Sequence, residues 1–166
     1  MAVAAVTLTQ FELFKSLPES IIAQIAAVST LAEAPRRKIV MEKGHPVHSL
    51  GLLLDGRMQG IDMTLDGHEA GLYLIEKNDF FGELSVIDEL PGPEYVIALS
   101  PVRFIMVPSQ TIRQLMTQSA EIAQIMNLRL TKRLREAIAQ RTLLALPSPL
   151  QRVATLLLQL LKARQT

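Results

Sequence analysis

The spacing of apolar residues changes twice along the chain. After Pro18, which suits the first turn of a helix, apolar side chains recur at helical spacing through Val28. Across residues 31–107, short runs rich in Val, Ile and Leu are separated by turn signals about every 8–12 residues. Such spacing is typical of an antiparallel sandwich or barrel. We count the short run SVID, residues 85–88, among the predicted strands.

The segment Leu65-Asp66-Gly67-His68 is the clearest turn signal in this region. Asp and Gly tolerate the positive φ angles of a tight β-turn, so the segment predicts a hairpin between two strands. Together these patterns predict a mostly β domain with flanking helices.

Beyond Pro108 the spacing becomes helical again. Residues 121–146 contain no Gly or Pro, which allows a helix of about 25 residues, or roughly 37 Å. Its apolar stripe is longer than a small barrel can cover, so we predict that the helix pairs with a second copy of the chain. The predicted dimer interface comprises Met126, Leu130, Leu134 and Ile138. The alternative is a helix that packs only on its own domain.

Pro147-Ser148-Pro149 ends the long helix, and a further apolar helix then begins without a visible partner. We therefore predict three parts. Residues 1–118 form the β-barrel with an N-terminal helix and a short helix, and residues 119–146 form the long dimerisation helix. Residues 147–166 form a hinge and the first helix of a truncated C-terminal domain.

Charge and composition narrow the function classes. Residues 129–166 carry eight basic residues and one acidic residue, which suits either approach to a polyanion or a solvated basic helix face. The absence of Cys excludes disulfides and thiolate-held metal centres. No apolar run approaches the ~20 residues of a membrane span, and the first residues lack a signal-peptide pattern, so we expect a cytoplasmic protein with no membrane contact.

Several local motifs agree with this order of elements. Lys43-Gly44 and Asp55-Gly56-Arg57 flank a predicted hairpin, and Phe80-Phe81-Gly82-Glu83-Leu84 opens an acidic stretch. The run LSPVRFIMVPSQTIRQLM joins the last strand to a short helix. In order and spacing these motifs resemble the catabolite-activator and fumarate/nitrate-regulator family of bacterial transcription factors, from Phe11 onward.

The resemblance implies a fold and a way of working. The family has a cyclic-nucleotide-binding jelly roll, a double-stranded β-helix barrel, followed by a long dimerisation helix. A C-terminal helix-turn-helix domain then binds DNA. This chain would hold the first two parts and only the opening helix of the third.

The same resemblance identifies residues 80–94 as the phosphate-binding cassette. In cyclic-nucleotide binders of the family the cassette runs Gly-Glu-Leu and then, after a short spacer, Arg-Ser or Arg-Thr. Gly82, Glu83 and Leu84 fill the first part, and counting on without a gap places the Arg-Ser pair on Gly92 and Pro93. These two residues offer no cation for a phosphate, which prefers an Arg fork, and Pro93 lacks even a backbone N–H.

Other positions weaken the predicted nucleotide site further. Glu89 and Glu94 lie close to it in sequence and would repel a phosphate. The family's base-contacting hydroxyls on the long helix correspond to Ala137 and Ile138, which cannot make polar contacts. We therefore predict a degenerate site that does not bind ordinary cyclic AMP.

Three interpretations of this pocket stay open. It holds another effector, uncharged, hydrophobic or a cyclic dinucleotide; or it holds haem, with His45, His48 and His68 as the only candidate imidazole ligands; or its own side chains fill it. In the last case Glu83 caps backbone N–H groups of its own loop. We predict no resident cofactor, metal site or catalytic set, because no motif with suitable spacing occurs.

The functional prediction follows from these points. The chain is the effector-sensing and dimerisation region of a cytoplasmic bacterial transcription regulator, not an enzyme. It forms a homodimer through the long helix and reaches DNA only through a C-terminal domain missing from this chain. The alternative is a stand-alone module that acts through protein–protein contacts.

Overall fold

The computed structural model of the chain describes residues 3–64 and 66–163. The helices are α1 (Ala5–Leu8), a 3-10 turn (Glu12–Phe14), α2 (Glu19–Val28), α3 (Glu83–Asp88), α4 (Ser109–Gln118), α5 (Ala120–Leu144) and α6 (Pro149–Ala163). The strands are β1 (Thr30–Ala34), β2 (Ile39–Met41), β3 (Ser49–Asp55), β4 (Met58–Met63), β5 (Glu69–Ile75), β6 (Phe80–Phe81), β7 (Tyr95–Ala98) and β8 (Val102–Pro108).

The strands form two antiparallel four-stranded sheets, in the orders β1-β8-β3-β6 and β2-β7-β4-β5. One cluster of buried side chains lies between the sheets and includes Met58, Phe81 and Phe104. The predicted jelly-roll architecture with flanking helices is confirmed.

Strand β3 is buried on both faces, which explains its continuous apolar run. Leu50, Leu52 and Leu54 belong to the cluster that packs against the helices, whereas Leu53 belongs to the cluster between the sheets. Because neighbouring residues on a strand point to opposite faces, a strand covered on both sides shows no polar alternation.

The flanking helices cover the outer face of the first sheet. Buried side chains from the N-terminal segment, α2, α4 and the first turns of α5 form one continuous core there. The Ser119 hydroxyl accepts a hydrogen bond from Ile122 N at 3.3 Å, so it caps the start of α5. Among the described residues, no helix is long and apolar enough to cross a bilayer.

Two sequence predictions need correction. Residues 85–88 lie in α3 rather than in a strand, because a run of four residues is too short for the spacing of its apolar positions to separate helix from strand. Met126 is fully buried in the core of its own chain. It is therefore not available to the predicted dimer interface.

The chain divides into two compact units, Met1–Met126 and Asn127–Thr166, and the boundary falls inside α5. The long helix covers 25 residues and ends at Leu144, two residues before the predicted end. The three-part division at residues 118 and 146 stays a prediction.

Gly51 gives a direct test of the packing between the sheets. A Cβ atom at Gly51 would overlap the ring of Phe81, which packs edge-on against Phe104 with ring centroids 5.9 Å apart. We expect Gly51→Ala to lower the free energy of unfolding by about 1–3 kcal/mol, because the rings cannot move without disturbing the core. Urea denaturation monitored by circular dichroism measures the change.

The matched control for this substitution is Gly71→Ala, also within a strand. There a Cβ atom would meet the end of the Gln59 side chain, which can move aside. We expect a change within about 0.5 kcal/mol. Equal losses in the two variants would contradict the packing described for Gly51.

Candidate ligand-binding site

The start of the cassette is a strand-to-helix turn. Gly82 follows β6 with φ of 84° and precedes α3, so it occupies the left-handed region that favours glycine. Glu83, the first residue of α3, is buried, whereas Leu84 is exposed. These three residues, predicted as the start of the cassette, lie together at the N-terminal end of α3.

Gly92 has a packing role. Its carbonyl accepts a hydrogen bond from Gly44 N at 2.7 Å, and its N–H donates to His45 O at 2.9 Å. A Cβ atom at Gly92 would lie 3.2 Å from the Glu42 carbonyl oxygen. A long side chain at this position would press on the backbone of the 42–45 turn. Pro93 is exposed.

Glu94 forms the most distinctive contact near the cassette. Its side chain is only 6% exposed, and its Oε1 accepts a hydrogen bond of 2.5 Å from the Tyr73 hydroxyl on β5. Strand β4 lies between β5 and β7, and Gly60 of β4 pairs with Tyr73 on one side and Val96 on the other. Because Gly60 has no side chain, the Tyr73 ring can lie over β4 toward the start of β7.

Sequence reasoning missed the pairing of Tyr73 with Glu94. In the sequence Glu94 stands out only as one acid near the cassette, and no pattern marks Tyr73. The signal available in the sequence was weak: a glycine in one strand and a tyrosine in the next, which become neighbours only once the register is known.

Apart from Met126, the residues predicted on the long helix lie in the unit Asn127–Thr166. Ala137, Leu134 and Ile138 are exposed, and Leu130 is partly buried. Two roles stay predictions. One is a base-side pocket wall formed by Ala137 and Ile138, and the other is a dimer surface formed by Leu130, Leu134 and Ile138.

The three histidines lie in two connections. His45 and His48 belong to the β2–β3 connection, and His68 lies in the β4–β5 turn, where its Nδ1 is 3.2 Å from Asp66 Oδ2. All three side chains are exposed. In the part of the chain that the structure describes, no group of three potential metal ligands is found.

The β4–β5 turn is the predicted hairpin. Gly67 N donates to Thr64 O at 2.9 Å, Gly67 has φ of 81°, and Leu65 lies outside the described residues. The nearby acid Asp62 binds Lys43 Nζ through both oxygens, at 2.7 and 2.8 Å. These bonds, with the N–H of Met63, lower the pKa of the Asp62 carboxyl. Asp62 therefore ties the hairpin to the 42–45 turn.

Cavities flank the segment 46–48 between β2 and β3. One, of about 400 Å³, is lined mostly by apolar side chains, among them Met41, Phe81 and Met106. A second, of about 290 Å³, lies between this segment, α3 and the start of α4. Neither of them is lined by Tyr73 or Glu94.

Comparison with known proteins relates this geometry to a family. The cyclic nucleotide-binding domain family matches residues 31–119, more than half of the chain. The chain is 27% identical over 148 residues to the CRP-like cAMP-activated global transcriptional regulator of Mycobacterium tuberculosis, covering 89% of this chain and 66% of that protein. It is 27% identical over 128 residues to the cyclic AMP receptor protein of Thermus thermophilus, covering 77% and 59%. The chain thus spans about two thirds or less of the length of these relatives.

Solved structures agree on the fold. The sensor domain of the transcriptional regulator DNR from Pseudomonas aeruginosa superposes with a TM-score of 0.69 at 19% identity, covering 87% of this chain and 93% of that one. The resemblance to catabolite-activator-type proteins is thereby confirmed at the level of sequence and of fold. The chain belongs to the cyclic nucleotide-binding domain family, and its relatives are regulators of the catabolite-activator type.

Proposed function

We propose that this chain is the effector-sensing and dimerisation region of a bacterial transcription regulator in which the cyclic-nucleotide cassette has lost its anion site. The observation that carries the proposal is the buried Glu94 carboxylate, held by Tyr73 at the end of the cassette. The relatives named for cyclic AMP support the architecture of a regulator of this family. The acidic residues of this cassette argue against cyclic AMP as its ligand.

The cassette carries an excess of negative charge. Residues 80–94 contain four acidic residues and no Lys or Arg. An anion brought within about 4 Å of a carboxylate is disfavoured by roughly 4 kcal/mol at an effective dielectric constant of 20. A cyclic phosphate placed beside Glu94 would meet this repulsion without an Arg fork to offset it.

The rest of the protein follows the plan of its relatives. We propose a homodimer formed through the exposed apolar side chains of α5, in which effector binding shifts the pairing of the two helices. DNA contact would come from a C-terminal helix-turn-helix domain, with the basic residues of 129–166 toward the DNA backbone. Such a regulator works in the bacterial cytoplasm.

The direct test is titration calorimetry of the 166-residue chain with cyclic AMP, cyclic GMP and cyclic di-GMP. We expect no binding of cyclic AMP or cyclic GMP at concentrations up to about 1 mM, where the standard binding free energy is only about −4 kcal/mol. Native mass spectrometry of the purified protein looks for a retained ligand in parallel. Micromolar cyclic AMP binding would overturn the proposed loss of the anion site.

A further inference from the structure

The 290 Å³ cavity between the cassette helix α3 and the start of α4 carries features of a binding site that the cassette does not explain. Its lining includes one guanidinium, one imidazole, two hydroxyls and one carboxylate, from Arg113, His48, Ser85, Ser109 and Glu89. Glu89 is the only acidic residue of the described lining. In this lining, hydrogen-bond donors outnumber carboxylate acceptors, which suits an anion.

Arg113 links the two helices that bound the cavity. Its Nη1 donates to the carbonyl of Val86 in α3 at 3.2 Å, and its Nη2 lies 2.8 Å from Glu89 Oε1. Glu89 follows α3 with φ of 62°, and its side chain is 65% exposed. An exposed carboxylate of this kind is weakly held, because water competes for both partners. The Arg113 guanidinium is thus already occupied by a carboxylate that a ligand can replace.

Ser85 provides an independent observation. The residue is only 2% exposed and lines the cavity, and its hydroxyl has no hydrogen-bond partner among the described residues. Buried hydroxyls in folded proteins are nearly always hydrogen-bonded, so an unpaired one beside a cavity indicates a polar partner there.

The third feature is the start of α4, a ten-residue helix whose first residue is Ser109. Helix N-termini favour anions through the macrodipole and the unpaired N–H groups of the first turn. Ser109 N donates to His48 O at 2.9 Å, which holds the His48 backbone at the rim of the cavity.

We propose that this cavity binds a small compound bearing an oxyanion group, carboxylate or phosphate, which takes the place of Glu89 on Arg113. The inference deepens the proposed function and rests on it, because it gives the sensor an effector site between the cassette helix α3 and α4, away from Glu94. The ligand oxyanion pairs with Arg113 at the N-terminal end of α4, and its polar body reaches the Ser85 hydroxyl. Glu89, once displaced, no longer ties the end of α3 to α4.

The test uses inorganic phosphate and succinate as separate probes on the 166-residue chain, at constant ionic strength set with sodium chloride. Isothermal titration calorimetry and ligand-dependent melting temperature are the readouts. We expect saturable binding of at least one probe with a dissociation constant of about 1 mM or tighter. Binding of phosphate alone or of succinate alone supports the site and identifies its preferred oxyanion.

Two substitutions with opposite expected effects locate the binding. Arg113→Gln should weaken it at least about tenfold, because the charge-assisted bonds are lost. Glu89→Gln, a change at an exposed side chain, should tighten it about threefold, because the competing carboxylate is removed. Arg103→Gln, on β8, is the matched control and should bind like the unmodified chain.

Two results would overturn the site: no saturable binding of either probe to the Glu89→Gln variant, or unchanged binding in a folded Arg113→Gln variant. The Glu89→Gln arm keeps the test decisive if Arg113→Gln does not fold. If neither phosphate nor succinate binds, the cavity is not an anion site. That result does not affect the cyclic AMP titration, which tests the proposed function separately. Cyclic AMP binding would instead overturn the proposed function.

Discussion

The double variant Pro93→Arg, Glu94→Ser should bind cyclic AMP at least about 100-fold more tightly than the unmodified chain. The double substitution removes the buried Glu94 carboxylate, which we propose repels a phosphate, and places a guanidinium beside it. A charge-assisted hydrogen bond contributes about 1.5–3 kcal/mol, and each 1.4 kcal/mol is tenfold in affinity. Relief of the repulsion adds to this gain. Calorimetry or a fluorescent cyclic-nucleotide competition assay measures it.

We place the Arg-Ser positions at 93 and 94, one residue beyond the count along the sequence, because a long side chain at Gly92 would press on the 42–45 turn. Counting along the sequence favours Gly92→Arg with Pro93→Ser, but Gly92 is buried and bonded on both sides to the 42–45 turn. We expect that second double variant to lose stability and to gain no affinity. If it binds cyclic AMP and the first variant does not, the Arg-Ser positions of the cassette are 92 and 93, as the count along the sequence has them, and not 93 and 94.

A charge-matched control separates the cassette from general electrostatics. Glu76→Arg makes the same change in net charge as the double variant, at an exposed side chain outside the cassette, in the turn after β5. Long-range charge effects are screened over about 10 Å at 0.1 M salt, so this variant should resemble the unmodified chain. A gain equal to that of the cassette variant would show that net charge, and not the Glu94 site, limits binding.

Much of the fold could be predicted from the sequence because its signals are local. The Asp66-Gly67 turn needs positive φ at Gly67, and the structure has it. The long helix follows from a segment without Gly or Pro, capped by Ser119. In both cases the deciding residues are neighbours in sequence, so backbone preference and apolar spacing are sufficient.

The features of the site and of the core that could not be predicted depend on contacts between residues far apart in the sequence. Tyr73 and Glu94 are 21 residues apart, and they meet because Gly60 leaves room across β4. Met126 belongs to the apolar stripe of α5 like its neighbours, yet it is buried in the core of its own chain. Spacing along a helix identifies an apolar face but does not say what covers it.

The cavity and the long helix are joined by a short path. Helix α4 ends at Gln118 and α5 begins at Ala120, with Ser119 between them. Ser119 N donates to Leu115 O at 2.8 Å, and Ser119 O accepts from Ala123 N at 3.2 Å. A change in how Arg113 holds α3 would therefore act on the helix that directly precedes α5, without requiring a ligand in the cassette.

The exchange of Leu134 for Glu should dissociate the proposed dimer. Leu134 and Ile138 are 62% and 57% exposed within a single chain, and with Leu130 they follow one side of α5. Burying such a side chain contributes about 1.5–3 kcal/mol to the stability of a dimer. In a two-fold symmetric dimer each substitution is present twice, so its effect is doubled. We expect the dissociation constant to rise by about two to four orders of magnitude, measured by sedimentation velocity at micromolar concentration.

Leu128→Glu is the matched control for this exchange. Leu128 is 61% exposed, nearly the same as Leu134, but six residues along a helix is about 120° around its axis, so the two side chains point in different directions. Helix propensity and added charge are equal in the two variants, hence only the direction of the side chain differs. Equal dissociation by both substitutions, or a monomeric unmodified chain at micromolar concentration, would contradict a dimer surface on this side of α5. Dissociation by Leu134→Glu alone assigns the surface to the side that carries Leu130, Leu134 and Ile138.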